Sequence, residues 1–250
     1  MAKQVGIIKL EGKIGDLSFY KSGDDYRVRT SGGVDGERMK TDPNFKRTRE
    51  NMSEFGSASS TANKLYRQVK HFLAYFKDRT VFQRLTGLMT RIQKADPESA
   101  RGERAFIVEN GGMLRGFEFN KGVQLNSIIN KDLVPSYQVA EEKATLVIPA
   151  FNPRTTITSV AGATHVQFLF AAAVLDVESD FPANAEVMRS DYIPLIGKYA
   201  GETLEVPLVI TRNNLGYMLV GIALFKEENG YRFPLQKGKY NALTIAAVSS

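Results

Sequence analysis

The sequence predicts an α+β chain with an N-terminal β-hairpin arm, a helical middle and a C-terminal antiparallel β-sandwich of immunoglobulin/fibronectin-like or jelly-roll-like plan. Three observations predict it: period-two alternation in residues 12–30, helical spacing of apolar residues from Pro43 to about Lys94, and eight short apolar runs after Ala105. The segments so defined are 1–40 for the arm and its glycine linker, 41–104 for the helical region and 105–250 for the sandwich.

In "LSFYK", Leu17 and Phe19 share one face with Ser18 and Tyr20 opposite, and in "DYRVRT" Tyr26 and Val28 oppose Arg27 and Arg29. Gly23 and Asp24 in "SGDD" supply turn chemistry for a hairpin loop of three or four residues, and "VGIIKL" is expected to add a strand before it. "SGGVDGERMKT" has three glycines in eleven residues, a composition that resists regular structure and gives reach. Asp42 then caps a helix with Pro43 at its first position, where the missing donor costs nothing.

Within the helical region Phe45, Met52 and Phe55 form one stripe. Leu65, Val69, Phe72, Leu73 and Phe76 form a second, and Val81, Leu85, Leu88, Met89 and Ile92 a third. "GSASS" around Gly56 is expected to bend or split the first helix, and "KDRT" to turn the chain before the last one, with Asp78 or Thr80 as cap. The runs "GFEFN", "VQLNSI", "ATLVIPAF", "TTITSV", "HVQFLFAAAVLDV", "LEVPLVIT", "GYMLVGIALF" and "ALTIAAV" read as strands, and Asn229-Gly230 as a hairpin turn. A closed barrel would pattern in the same way.

The chain has 250 residues, 43% of them apolar, enough for one large domain or two smaller ones with real cores. It has no cysteine, which excludes disulfides, thiolate nucleophiles and cysteine-ligated metals. The start "MAKQVGIIKLEGK" lacks a secretory pattern, and the uncharged stretch between Arg154 and Asp176 is broken by threonines, His165 and Gln167, so neither export nor membrane insertion is expected. The expected location is the cytoplasm or a virion. Residues 1–104 carry 21 Lys and Arg against 13 Asp and Glu, whereas residues 105–250 carry 12 against 14, so the net +6 lies in the N-terminal part.

No catalytic or metal signature stands out. His71 and His165 are the only histidines and have no partner at metal-ligand spacing, so both read as structural. Asp24-Asp25, Glu141-Glu142 and Glu227-Glu228 are adjacent, and adjacency points carboxyls apart rather than to the separation that hydrolysis needs. No glycine pattern cradles phosphate and no serine sits in a nucleophile elbow. The chain is therefore expected to be no enzyme, with no cofactor, no metal, no small-molecule substrate and no membrane partner.

An isolated hairpin is marginal in water, so the arm must find a sheet. Docking on a neighbouring copy by strand addition, with Leu17, Phe19, Tyr20, Tyr26 and Val28 as the interface, yields a homo-oligomeric structural protein, a filament, shell or tail-like array. Folding back onto its own chain is the plainer outcome. An alternative is nucleic-acid binding by Arg27, Arg29, Arg38, Lys40, Lys46, Arg47 and Arg49, interleaved with Tyr20, Tyr26 and Phe45 but also with six carboxylates.

The stretch "GKIGDLSFYK…YRVRT" followed by "TDPNFKRTRENMSEFG" resembles an N-terminal signature of a family of Bacteroidetes-type bacterial and phage proteins: a Gly-x-Ile/Leu-Gly strand, an Arg-bearing second strand and an Asx-Pro helix start with Arg-rich turns. The resemblance covers about the first 55 residues. That family carries no established activity, so the resemblance implies no site residues.

Overall fold

The structure is a computed structural model that describes residues 2–30, 33–73, 75–76, 78–131, 134–138, 141–179, 182–211 and 214–249. It combines helices with antiparallel sheets, one of them curled as a half-barrel. The chain divides into two compact units, Met1–Asn51 and Met52–Ser250.

The first unit is a four-stranded antiparallel sheet, β1 (Ala2–Lys3), β2 (Gly12–Ile14), β3 (Leu17–Ser22) and β4 (Asp25–Thr30), in the order β1-β4-β3-β2. Its turns are tighter than the sequence predicts. Ser22 pairs with Asp25, leaving only Gly23 and Asp24 in the loop, and Gly23 has φ 63° at the first central position, as a type II′ turn requires. "IGDL" repeats the device: Ile14 pairs with Leu17 around Gly15, φ 55°.

Two expectations are corrected here. "VGIIKL" is not a strand, because Gln4 closes it into a loop. The Gln4 amide Nε2 donates to Leu10 O at 3.2 Å and Arg27 O at 3.1 Å, and its Oε1 accepts from Leu10 N at 2.9 Å. The glycine linker is partly ordered: α1 (Gly36–Thr41) is a short helix in which Asp35 accepts from Glu37 N and the Glu37–Lys40 pair bridges one turn. Asp42 caps as expected, accepting from Asn44 N at 2.9 Å at the start of a 3₁₀ turn, Pro43–Phe45.

The helix α2 (Lys46–Leu73) runs unbroken through "GSASS". Ala58 and Ala62 are buried, so small side chains there let the helix approach its neighbours closely, and this packing outweighs the weak helix preference of Gly56 and the serines. The stripe of Met52 and Phe55 is exposed; the buried face carries Glu54, whose carboxylate accepts from Gly102 N at 2.8 Å. After the turn at Asp78–Thr80 comes α3 (Val81–Lys94), whose Val81, Leu85, Leu88, Met89 and Ile92 are buried as their spacing predicts.

The remaining strands are β5 (Ser136–Gln138), β6 (Lys143–Ile148), β7 (His165–Leu175), β8 (Glu186–Arg189), β9 (Ile193–Pro194), β10 (Glu202–Pro207), β11 (Leu215–Glu228), β12 (Tyr231–Pro234) and β13 (Ala242–Ser249). Two of the expected strands are helical turns instead: α4 (Leu125–Ile128) in "VQLNSI" and α5 (Pro153–Thr156) before "TITSV", the latter capped by Asn152 with Pro153 at its first position. "GFEFN" makes only an isolated bridge, Glu118 to Thr244. The Asn229-Gly230 hairpin forms as expected, with φ 53° and 79°.

The central sheet is built on β11, which pairs with β7 along its length and, on the other edge, with β13 and β12; β7 in turn holds β8 and β9. Both faces are buried. Leu169, Ala171, Tyr217, Leu219 and Ile245 pack with α2 and α3, while Phe168, Phe170, Val220 and Ile222 pack with Leu146, Leu204 and Val206 of the three-stranded sheet β10-β6-β5. That double burial is why β7 and β11 read as unbroken apolar runs. Gln68 pins helix to sheet: Tyr217 donates its hydroxyl to Gln68 Oε1 at 3.0 Å, and Gln68 Nε2 donates to Val174 O at 2.8 Å and Ala183 O at 3.0 Å.

Candidate functional site

Strand alternation and register sort the N-terminal sheet into two faces. Val28 is opposite Phe19 and Ala2, Leu17 is opposite Ile14, and Lys21 is opposite Tyr26, so Ile14, Leu17, Phe19, Tyr26 and Val28 share an apolar face. The other face carries the rows Lys13–Ser18–Arg29 and Tyr20–Arg27–Lys3. Tyr20, one of the expected assembly residues, lies on this second face, since an even position in β3 cannot share a face with Leu17 and Phe19.

None of the described residues 2–51 is buried. The loop closed by Gln4 lifts apolar side chains into the open, with Val5 exposed to 87%, Ile7 to 102% and Ile8 to 80%. The edge strands β1 and β2 are two and three residues long; β2 pairs with Leu17–Phe19 and β1 with Arg27–Val28, so the pairing stops short of Lys21 and Thr30.

Of the expected cationic residues, Arg27 and Arg29 come together with Tyr20, and the Arg29 guanidinium sits 5.5 Å from the Tyr20 ring centroid. Asp25 lies among them, 2.6 Å from Lys3 Nζ and 3.4 Å from Arg27 Nη2; the Lys3 bond holds its carboxyl below the ordinary aspartate value. Arg38, Lys40 and Arg47 are paired to Asp42, Glu37 and Glu50 at 3.1, 2.9 and 2.9 Å. Arg49 Nη1 donates to Met39 O and Asp42 O, and Lys46 meets no carboxylate among the described residues.

The two histidines stay apart in role and place. His71 is exposed on α2 with its ring edge-on to Phe72, while His165 begins β7, its Nε2 3.5 Å from Glu227 Oε2. Glu141 pairs with Lys143, Glu227 with Arg232, and Glu228 with Lys226. Among the described residues no group of three or more His, Asp and Glu is placed to hold a metal ion.

A second cluster was invisible in sequence. Asp78 Oδ2 accepts from Arg84 Nη2 at 2.7 Å and from Lys121 N at 2.9 Å, and its Oδ1 accepts from Thr80 N and Oγ1 at 2.7 Å. Burial pushes the Asp78 carboxyl up, but these donors together hold it down at about 2. Arg84 lies 4.9 Å from the Phe117 ring centroid and donates from Nη1 to Glu118 O at 2.7 Å. Burial raises the Glu118 carboxyl to about 7 against the pull of the Leu125 amide and Arg84. Glu118 Oε2 and Arg84 Nε are both buried without a protein partner. These residues come from 78, 84 and 118, joined only when 116–119 pairs along β13, and no local spacing announces that.

Among the described residues no helix is long and apolar enough to cross a membrane. Comparison with known proteins finds no matching family model, curated protein or solved structure.

Proposed function

We propose that the chain is a non-enzymatic structural protein that assembles with copies of itself through its N-terminal sheet, into a filament, shell or tail-like array. One observation carries this reading: a four-stranded sheet with an apolar face, Ile14, Leu17, Phe19, Tyr26 and Val28, in a unit with no buried residue among the described ones. Full burial of a large side chain contributes roughly 1.5–3 kcal/mol, a gain only partly realised while Phe19, Tyr26 and Val28 are half-buried and Ile14 and Leu17 exposed. A second copy is the favoured partner because an antiparallel edge and an apolar row can each meet its like on another copy, and two such separate contacts per chain extend an assembly beyond a dimer. In this reading residues 1–40 act as the arm and the strands of 105–250 as a sandwich-like body, in keeping with the N-terminal resemblance to phage proteins.

The test is the particle mass of the full chain by light scattering across concentration. Discrete or growing assemblies are expected, and a monomer at all concentrations would overturn the reading.

The cationic face supports a second reading, nucleic-acid binding by Lys3, Lys13, Arg27 and Arg29 with Tyr20 as a stacking group. Retention on DNA that weakens steeply with salt is its signature.

A further inference from the structure

A cleft of about 740 Å³ opens beside α3, between that helix and residues 113–124. Its polar lining is unbalanced: Arg84, Arg91, Arg115 and Lys121 face a single carboxylate, Glu118. Arg84 is neutralised by Asp78 at 2.7 Å. The side chains of Arg91, Arg115 and Lys121 meet no carboxylate among the described residues. With Glu118 raised to about 7, the cleft carries two to three uncompensated positive charges near neutrality.

A second feature of the lining has no packing reason. Gly87 lies inside α3, where glycine costs about 1 kcal/mol relative to alanine, yet a Cβ there would meet nothing within 4 Å. The bare helix surface opens onto the cleft that the cations surround.

We propose that this cleft binds a small phosphomonoester whose organic part lies along α3 at Gly87. A phosphomonoester carries about −1.5 to −2 charges at neutral pH, matching the surplus, whereas one carboxylate would leave a cation unmatched. Arg91 and Arg115 offer the planar forks that phosphate oxygens accept from, and Met113, 44% exposed, supplies apolar surface for the rest of the molecule. The volume falls in the range of small-molecule sites and far exceeds one phosphate ion.

Titration calorimetry of the full chain with phenyl phosphate and with inorganic phosphate tests this. Saturable binding of phenyl phosphate at least about tenfold tighter than phosphate is expected, together with a further loss of about tenfold for each of Arg91→Ser and Arg115→Ser, one charge-assisted bond apiece. Gly87→Glu should abolish binding with a melting temperature equal to or above that of wild type, because the new side chain has open space in the fold and glycine is the weaker helix former. Three results would each overturn the proposal: no heat from phenyl phosphate at millimolar concentration, equal affinity in wild type and Arg115→Ser, or binding of a DNA oligonucleotide that phenyl phosphate does not displace.

Discussion

Phe19 and Val28 stand directly opposite one another across β3 and β4, and neither is buried. A cross-strand pair of an aromatic with a β-branched residue is a strong sheet-forming contact. Here it is also the centre of a half-buried apolar face whose margin, Ile14 and Leu17, is exposed. Phe19→Asp in the full chain should therefore reduce particle mass at equal concentration while the melting transition of Met52–Ser250 is retained. Assemblies of unchanged size would exclude this face as the contact.

If the opposite face binds nucleic acid instead, Arg27→Ser with Arg29→Ser should lower the slope of log affinity against log salt by about 2, one unit per phosphate contact. An unchanged slope would place the contact elsewhere.

Asp78 ties the start of α3 to residue 121 through four donors. Asp78→Ala should cost roughly 2–4 kcal/mol in denaturant unfolding, since it also leaves Arg84 without its counter-charge. Its folded pKa of about 2 lies below the ordinary 3.8. Its stabilising contribution, roughly 2 kcal/mol, is therefore complete above pH 3.8 and lost as pH falls through 2. The acid limb of the wild-type stability curve should flatten in the variant.

Glu118 has the opposite sign. Its folded value of about 7 lies above the ordinary 4.5, so its contribution is complete below pH 4.5 and lost as pH rises through 7. Glu118→Gln, which keeps an acceptor for Leu125 N, should be more stable than wild type by roughly 1–3 kcal/mol at pH 8, with the gap closing by pH 5. Parallel stability curves for the two proteins would show that burial of this carboxyl is not costly.

Two glycines should respond in opposite ways to alanine. At Gly238, φ is 78° and a Cβ would lie 2.2 Å from the Tyr75 carbonyl oxygen, so Gly238→Ala should cost roughly 3 kcal/mol or more. At Gly56, within α2, a Cβ meets nothing, and Gly56→Ala should add about 0.5–1 kcal/mol. Equal effects on melting temperature would contradict this division.

Much of the local structure is legible in the residues. Period-two patterning marks β3 and β4 correctly, and the i, i+3, i+4 spacing marks α3 residue by residue. The Gly-Asp step at Gly23 and the Asn-Gly step at Asn229 place tight turns because Gly23, Asn229 and Gly230 take the positive φ found there at little cost. "VQLNSI" and the start of "TTITSV" misled because short apolar runs do not distinguish a strand from a helical turn. "VGIIKL" misled because a single side chain, Gln4, took the hydrogen bonds a strand partner would have made. The exposure of Met52 and Phe55, with Glu54 buried between them, shows which face of a helix tertiary contacts choose when two are available.

By itself the sequence determined the alternation of β3 and β4, the course of α3, and the turns at Gly23 and Asn229-Gly230, since each rests on contacts between residues close along the chain. Only the tertiary structure decided that helices cover one face of the β11 sheet and β10-β6-β5 the other, and that Asp78, Arg84 and Glu118 converge. Long-range pairing depends on which apolar surfaces find each other when the whole chain collapses, and no stretch of neighbouring residues encodes that choice.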